Sequence, residues 1–438
     1  MNAPAQAGWF GHPRGLTVLF LTNMWEQFSY YGMRAMLVYY MTKHLMLGQA
    51  SASYIYGAYT ACAYFTPIIG GLVADRFLGK RLAVVIGASV MAAGHFMMAF
   101  EPLFYPALMT IALGNGLFLP TLPSQVGDLY QRDDPRRGWA YNVYYVGVNI
   151  GGFLAPLACG TVGELYGWHY GFGLAGIGML CGLLIYLAGQ RHIPSGPVQP
   201  LVAEQAAPRG LDRQTLLVLF GIGVAVTLFR SAYEQIGNTV ALWADSGVDR
   251  HAGGFQIPMT WFQSLNPLFV MLMTPPLLAW WARRAQAGRD QTPALRMSQG
   301  ALTVAAAYLG LAGLTALADG ATSWVWLVAF FFIYTIGELF ILPTGLGLFA
   351  RIAPRHLGAT TVGAWFLITF SGSLSAGVVG SWWNRMPHTL FFVLLALLAG
   401  AAAVLLRLLN TPTEQIDHAR PVVQKNTHKK PFNVGGLP

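Results

Sequence analysis

The sequence predicts an all-α membrane protein of twelve transmembrane helices in two six-helix bundles. Three observations carry this. Of the 438 residues, 55% are apolar and 10% charged, where a soluble domain carries roughly 25% charged residues; the charges are too few to cover a soluble surface of this size. Apolar stretches of about 20 residues, enough to cross the roughly 30 Å hydrocarbon layer, recur along the chain. The basic residues gather in alternate loops, which an even number of spans explains.

Spans are read at 16–42, 53–74, 82–100, 104–127, 139–162, 168–189, 214–243, 255–281, 295–317, 323–350, 357–382 and 388–409. The first runs past Met41, too long for a signal-peptide core, so no cleavable leader is expected. The longest connection, 190–213, is rich in Pro, Gly, Ala and charge and divides the spans six and six. The expected organisation is a cytoplasmic N-terminus at 1–15, one bundle at 16–190, a cytoplasmic linker at 191–213, a second bundle at 214–410 and a tail at 411–438. The tail is polar, contains Pro and Gly, and is expected to be mostly disordered.

The net charge of +9 raises nucleic acid as a partner. Its distribution answers otherwise. With both termini on the cytoplasmic side, all but five of the 26 lysines and arginines fall on that side; Lys43, Arg250 and Arg385 lie in opposite loops, Arg34 and Arg230 inside spans. That is the positive-inside pattern, and a membrane rather than nucleic acid is the expected partner. Cys62, Cys159 and Cys181 sit within apolar segments as small buried side chains, with no disulfide framework and no metal spacing. Trp139, Trp168 and Trp324 at span ends read as interfacial anchors. No cofactor and no metal site is expected. Neither paired carboxylates on one span nor metal-ligand spacing supports an enzyme.

Ionisable groups inside spans are costly and mark function. They are Glu26 and Arg34 in span 1, Arg230 and Glu234 in span 7 and Glu338 in span 10. Spacing of three and four puts Asn23, Glu26 or Gln27, Tyr30 and Arg34 on one face, and Arg230, Glu234 and Asn238 on another. Asn142, Tyr145 and Asn149 form a stripe in span 5; Gln263 and Asn266 precede Pro267 in span 8. Such stripes face a polar interior between the two halves. Arg230 and Glu234 also suit a buried pair that only orients span 7, Arg34 suits a strut to Glu234, and the asparagines and tyrosines suit plain interhelix packing.

The loop after span 2, Gly70-Gly71-Leu72-Val73-Ala74-Asp75-Arg76-Phe77-Leu78-Gly79-Lys80, places Asp75 beside Arg76, Lys80 and Arg81 as candidate partners. It resembles the helix 2–3 loop of the major facilitator superfamily. Span 1 reads Asn23-Met24-Trp25-Glu26-Gln27-Phe28-Ser29-Tyr30-Tyr31-Gly32, and span 5 Tyr144-Tyr145-Val146-Gly147-Val148-Asn149-Ile150-Gly151-Gly152. With Tyr233-Glu234-Gln235, Phe262-Gln263-Ser264-Leu265-Asn266-Pro267, Gly337-Glu338-Leu339 and Gly363-Ala364-Trp365-Phe366, the chain resembles the proton-dependent oligopeptide transporter (POT) family over roughly 15–410. The resemblance implies a monomeric major facilitator fold that imports di- and tripeptides across a bacterial inner membrane by alternating access, driven by protons. It implies that Asn149, Asn266 and Glu338 receive the peptide amino end, that Arg34, Tyr30, Tyr31 and Tyr64 lie toward the carboxylate, and that Trp365 lines the cavity. Glu26, Arg34, Arg230, Glu234 and Glu338 are the candidates for proton coupling or gating.

The departures from the family pattern are Asn23 and Gln27 in span 1 and Leu119 in span 4, where the family carries charge. Two cations and one acid are replaced together, which leaves no unpaired buried ion. Arg230 stands where an uncharged, usually aromatic residue is expected. The alternatives are a coupled peptide importer with an atypical site, an uncoupled peptide facilitator, and a carrier of another solute such as an anion, amino acid or drug.

Overall fold

The computed structural model describes residues 11–131, 134–194, 212–318, 320–353 and 358–418. Among them are twelve helices of 18 residues or more. The first six are α1 (Arg14–Tyr39), α2 (Gln49–Val73), α3 (Lys80–Met97), α4 (Phe104–Asp128), α5 (Arg136–Ala155) and α6 (Trp168–Gly189). The second six are α7 (Arg213–Tyr233), α8 (Leu265–Gln286), α9 (Pro293–Leu317), α10 (Trp324–Ile352), α11 (Gly358–Gly380) and α12 (His388–Leu408). Ten of the twelve, extended by their flanking turns, are apolar enough to cross a membrane. The other two are α1, which carries Asn23, Glu26, Gln27 and Arg34, and α3, which is only 18 residues long and opens on Lys80-Arg81.

The apolar core divides as the helices do. One cluster, including Phe229, Trp243, Tyr308, Phe331 and Phe391, draws only on the second half. Two others, around Tyr40 and Phe172 and around Met91 and Tyr186, draw only on the first. A small fourth cluster, Val38, Tyr39, Ala241 and Met259, spans both halves near the face opposite the termini. Each half therefore buries its own core, as two six-helix bundles of a major facilitator fold.

The principal crossing between bundles is α2 against α11. A Cβ on Gly57 would lie 2.4 Å from Gly377 Cα, and one on Gly377 would lie 2.9 Å from Gly57 Cα. Only glycine at both positions lets the two backbones meet.

Two spans are less regular than their hydropathy suggests. The span expected as one helix over 214–243 is α7 followed by a 3-10 turn, Glu234–Gly237, and a separate helix, Thr239–Ser246. Asn238, at φ −118 and ψ −94, leaves the helical region. The span expected from 255 starts later, in a 3-10 turn at Met259–Ser264. Residues 248–256 form short extended segments instead: β2 (His251–Ala252) pairs antiparallel with β3 (Phe255–Gln256), while β1 (Val248–Asp249) pairs in parallel with β4 (Thr322–Ser323) ahead of α10. The first residues of the tail are helical rather than disordered, forming α13 (Asn410–His418). Residues 1–10 of the expected N-terminus, 195–211 of the expected linker and 419–438 of the expected tail lie outside the described residues.

The glycine crossing yields a test. Gly57→Val forces α2 away from the α11 backbone, and overpacking of this kind costs about 1–3 kcal/mol. A lowered thermal unfolding midpoint of the purified protein is expected; an unchanged midpoint would mean that the crossing tolerates separation.

Candidate functional site

The buried polar centre is built around Glu234, which is 1% exposed. Arg34 of α1 donates from Nη2 to Glu234 Oε2 at 2.5 Å, and its Nε donates to Tyr56 Oη of α2 at 2.7 Å. Arg230, one turn before Glu234, donates to Glu234 Oε1, and the Ser373 hydroxyl of α11 lies within 3.5 Å of both partners. The Arg230 guanidinium carbon stands 4.8 Å from the Tyr64 ring centroid and 5.6 Å from that of Tyr233, within cation–π range. One carboxylate thus binds two guanidiniums, one from each bundle.

The break in α7 makes this possible. The 3-10 turn slides beneath Tyr56: a Cβ on Gly237 would lie 2.1 Å from Tyr56 Oη. A helix end leaves carbonyls without partners. Here Tyr308 Oη donates to Ala232 O and Tyr334 Oη to Tyr233 O, both at 2.7 Å.

Glu338 forms a second focus, held by neutral donors. Tyr233 Oη donates to Oε1 at 2.9 Å, and Asn266 Nδ2 donates to Oε2 while lying 3.2 Å from Thr335 Oγ1. Tyr233 therefore links the foci, with its ring near Arg230 and its hydroxyl on Glu338.

A third set of contacts joins the bundles toward the face opposite the termini. Glu164, just beyond α5, accepts from Met259 N at 3.0 Å, Thr260 N at 2.9 Å and Thr260 Oγ1 at 2.6 Å. Lys43 meets Asp245 at 2.6 Å, Tyr39 Oη donates to Ala241 O at 2.7 Å, and Ser53 donates to Asn238 Oδ1 at 3.0 Å. Gln263 donates to Ala35 O at 3.0 Å and Ser264 to Phe153 O at 2.8 Å. This conformation is closed on that side.

The structure sorts the sequence-derived residues. It brings Arg34, Tyr64, Arg230 and Glu234 together at one focus, and Asn266 and Glu338 at the other. Tyr30 and Tyr31 are half-buried on α1 in edge contact, 5.5 Å between centroids. Asn149 is buried, and its amide donates to Tyr145 O of its own helix at 3.0 Å. Trp365 packs on Phe349, 5.8 Å between centroids, and against Gly345. Glu26 is buried away from both arginines and accepts from Gln27 Nε2 at 2.7 Å.

Three pairings read from spacing do not hold. Asn238 leaves the face of Arg230 and Glu234, because the turn before it rotates it toward Ser53. Gln263 and Asn266 part company across the junction between the 3-10 turn and α8. Near Asp75, Lys80 pairs with Asp128 at 2.6 Å, and Arg81 donates to the carbonyls of Gln190 and Ile193. Both basic residues begin α3, which packs on α4 and α6. Spacing overlooked Tyr56, Ser373 and Glu164. Tyrosines and serines are too common in these spans to single out, and an acid just past a span end reads as interfacial.

The geometry has counterparts of known kind. A family profile described as the POT family matches residues 81–209 and 202–393. The peptide transporter YePEPT of Yersinia enterocolitica is 33% identical, over 86% of this chain and 89% of its own. The chain belongs to the POT family. A di-/tripeptide transporter of Lactococcus lactis subsp. cremoris and the uncharacterized transporter YclF of Bacillus subtilis are each 31% identical over 92% of this chain, and over 96% and 95% of their own. A mutant of the peptide transporter POT in complex with alafosfalin superposes with a TM-score of 0.87 at 30% identity, over 94% of this chain and 97% of that one. A POT family transporter in complex with 5-aminolevulinic acid gives 0.85 at 26%, over 93% and 98%. This POT family chain is an integral membrane transporter.

The Glu164 contacts predict a conformational shift. Glu164→Ala removes three hydrogen bonds that join the bundles on the closed side. Spin labels at Met46 and Phe255, on a cysteine-free background, are expected to report a longer, broader distance distribution than in the unaltered protein. An unchanged distribution would show that Glu164 does not hold the closure.

Proposed function

We propose that this transporter moves di- and tripeptides across a bacterial inner membrane by alternating access, with both termini cytoplasmic. The observation that carries the reading is the division of charge at the centre. Glu338 is engaged by neutral donors, so a peptide ammonium adds the missing opposite charge. Arg34 and Arg230 share one carboxylate, so a peptide carboxylate can compete with Glu234 for them. Two guanidiniums and two carboxylates balance, which suits a zwitterion better than a bare anion. The relatives named as peptide transporters support the substrate class.

In this reading Glu338, Asn266 and Asn149 serve the amino end, while Arg34, Tyr30, Tyr31 and Tyr64 serve the carboxylate end. Trp365 lines the path behind them. The closed side is the periplasmic one, and the protein works as a monomer. Proton coupling is atypical: Asn23, Gln27 and Leu119 occupy positions charged in the family, and Glu26 has Gln27 as its neighbour where a cation is expected. Coupling then falls to Glu234, which loses Arg34 but keeps Arg230 when the bundles part, and to Glu338, whose donors are neutral.

Uptake of labelled dialanine into liposomes, with and without an inward proton gradient, tests this. Accumulation driven by the gradient is expected. Equilibration indifferent to the gradient would make the protein an uncoupled facilitator, and no flux in either condition would refute the peptide reading. A hydrogen bond to a charged group contributes about 1.5–3 kcal/mol. Glu338→Gln is therefore expected to weaken dialanine binding roughly 10- to 100-fold; unchanged affinity would remove Glu338 from the amino-end role.

A further inference from the structure

A polar cluster outside the transport centre lies at the face opposite the termini, wholly within the first bundle. His44 closes the π-helical turn Tyr40–His44 that ends α1; Glu101 opens the 3-10 turn Glu101–Leu103 before α4; His169 is in the first turn of α6. These residues are far apart in sequence, yet one ligand-type atom from each lies within 4.8 Å of the others. His44 Nε2 is 2.6 Å from Glu101 Oε1, and the His44 and His169 rings stand 5.1 Å apart at 83°.

The rings are held from behind. Tyr40 stacks on His44, 5.1 Å between centroids at 19°, and meets His169 edge-on at 6.3 Å. Phe104 and Phe172 pack on Tyr40 in turn. Two atoms of this wall, His169 Nδ1 and Tyr40 Oη, are buried without a hydrogen bond among the described residues. Buried polar groups are nearly always paired, so the unpartnered His169 nitrogen calls for a cause.

We propose that His44, Glu101 and His169 form a zinc-binding site with a fourth position open to water. Two imidazoles and a carboxylate suit borderline-soft Zn²⁺. Calcium and magnesium favour all-oxygen shells. Tetrahedral coordination with Zn–N and Zn–O bonds of about 2.0–2.2 Å places ligand atoms about 3.3 Å apart. The present separations, 2.6 Å for His44–Glu101 and no more than 4.8 Å for the others, are within a small adjustment of that value. The Glu101 side chain, 54% exposed, and the His44 side chain at the end of its turn supply the adjustment. Bound zinc staples the ends of α1, α4 and α6. It also stiffens the turn that carries Lys43, whose ammonium meets Asp245 of the other bundle.

The test is calorimetric titration of ZnCl₂ into the full chain, purified through a non-histidine tag and stripped of metal. One saturable site is expected in the unaltered protein, weakened at least tenfold by His44→Ala and by His169→Ala. Retained dialanine uptake in metal-free buffer, or an unchanged unfolding midpoint should dialanine not be the substrate, certifies that each variant is folded. His169→Cys, which keeps a zinc ligand, is expected to bind more tightly than His169→Ala. Co²⁺ should give visible ligand-field bands that His169→Ala abolishes. No saturable binding, or equal affinity in a His44→Ala/His169→Ala double variant, would overturn the proposal. Neither result bears on peptide transport.

Discussion

The Glu234 carboxylate, held between two guanidiniums, is the constraint on which the rest of the centre depends. Charges this deep in a membrane protein are costly unless paired with good geometry. Here the pairing needs α1 and α7 from opposite bundles, α2 to supply the Tyr56 oxygen and α11 to supply Ser373. The helices must be in register before the charges are satisfied, so the electrostatics select one arrangement of the bundles. Removing the carboxylate leaves two buried cations without a counter-charge, a cost of about 3–5 kcal/mol unless another anion or water takes its place.

The second requirement is that α7 ends at Tyr233, inside the longer apolar span Arg213–Ser246. A continuous helix would have carried Asn238 around with Arg230 and Glu234, and would have kept the carbonyls of Ala232 and Tyr233 inside the helix. By tightening at Glu234–Gly237 the chain aims Asn238 at the opposite bundle, while Tyr308 and Tyr334 bond the released carbonyls. Irregular backbone at membrane depth is tolerable where protein groups satisfy it. The same tyrosines position Tyr233, which carries the polar network from Arg230 to Glu338. A break that looks like a defect in the span is what connects the two foci.

The sequence made the architecture legible because hydropathy and the alternation of basic loops are properties of whole segments. It also made Arg34, Arg230, Glu234 and Glu338 legible, since a charge inside an apolar run is too costly to persist without a role. What it hid were relations between segments. Glu164 reads as an interfacial acid until Met259 and Thr260 of the other bundle are placed against it. Lys80 reads as a partner for Asp75, yet packing of α3 on α4 turns it to Asp128. His44, Glu101 and His169 share no spacing that marks them as neighbours. Periodicity reports which residues share a helix face; it does not report when a helix stops, which is why spacing alone puts Asn238 and Gln263 on the wrong stripes.

The Gly57–Gly377 crossing has a mechanical meaning. Most helix interfaces interlock side chains, and sliding one past the other requires rotamers to disengage. Between these two glycines there is only backbone against backbone, with no knobs to withdraw from holes. One helix can roll over the other there while the contact itself is kept. Under the proposed alternating access the crossing would serve as a fulcrum: the bundles would tilt about it as hydrogen bonds on one side are exchanged for contacts on the other, with the hydrophobic interior of each bundle left packed.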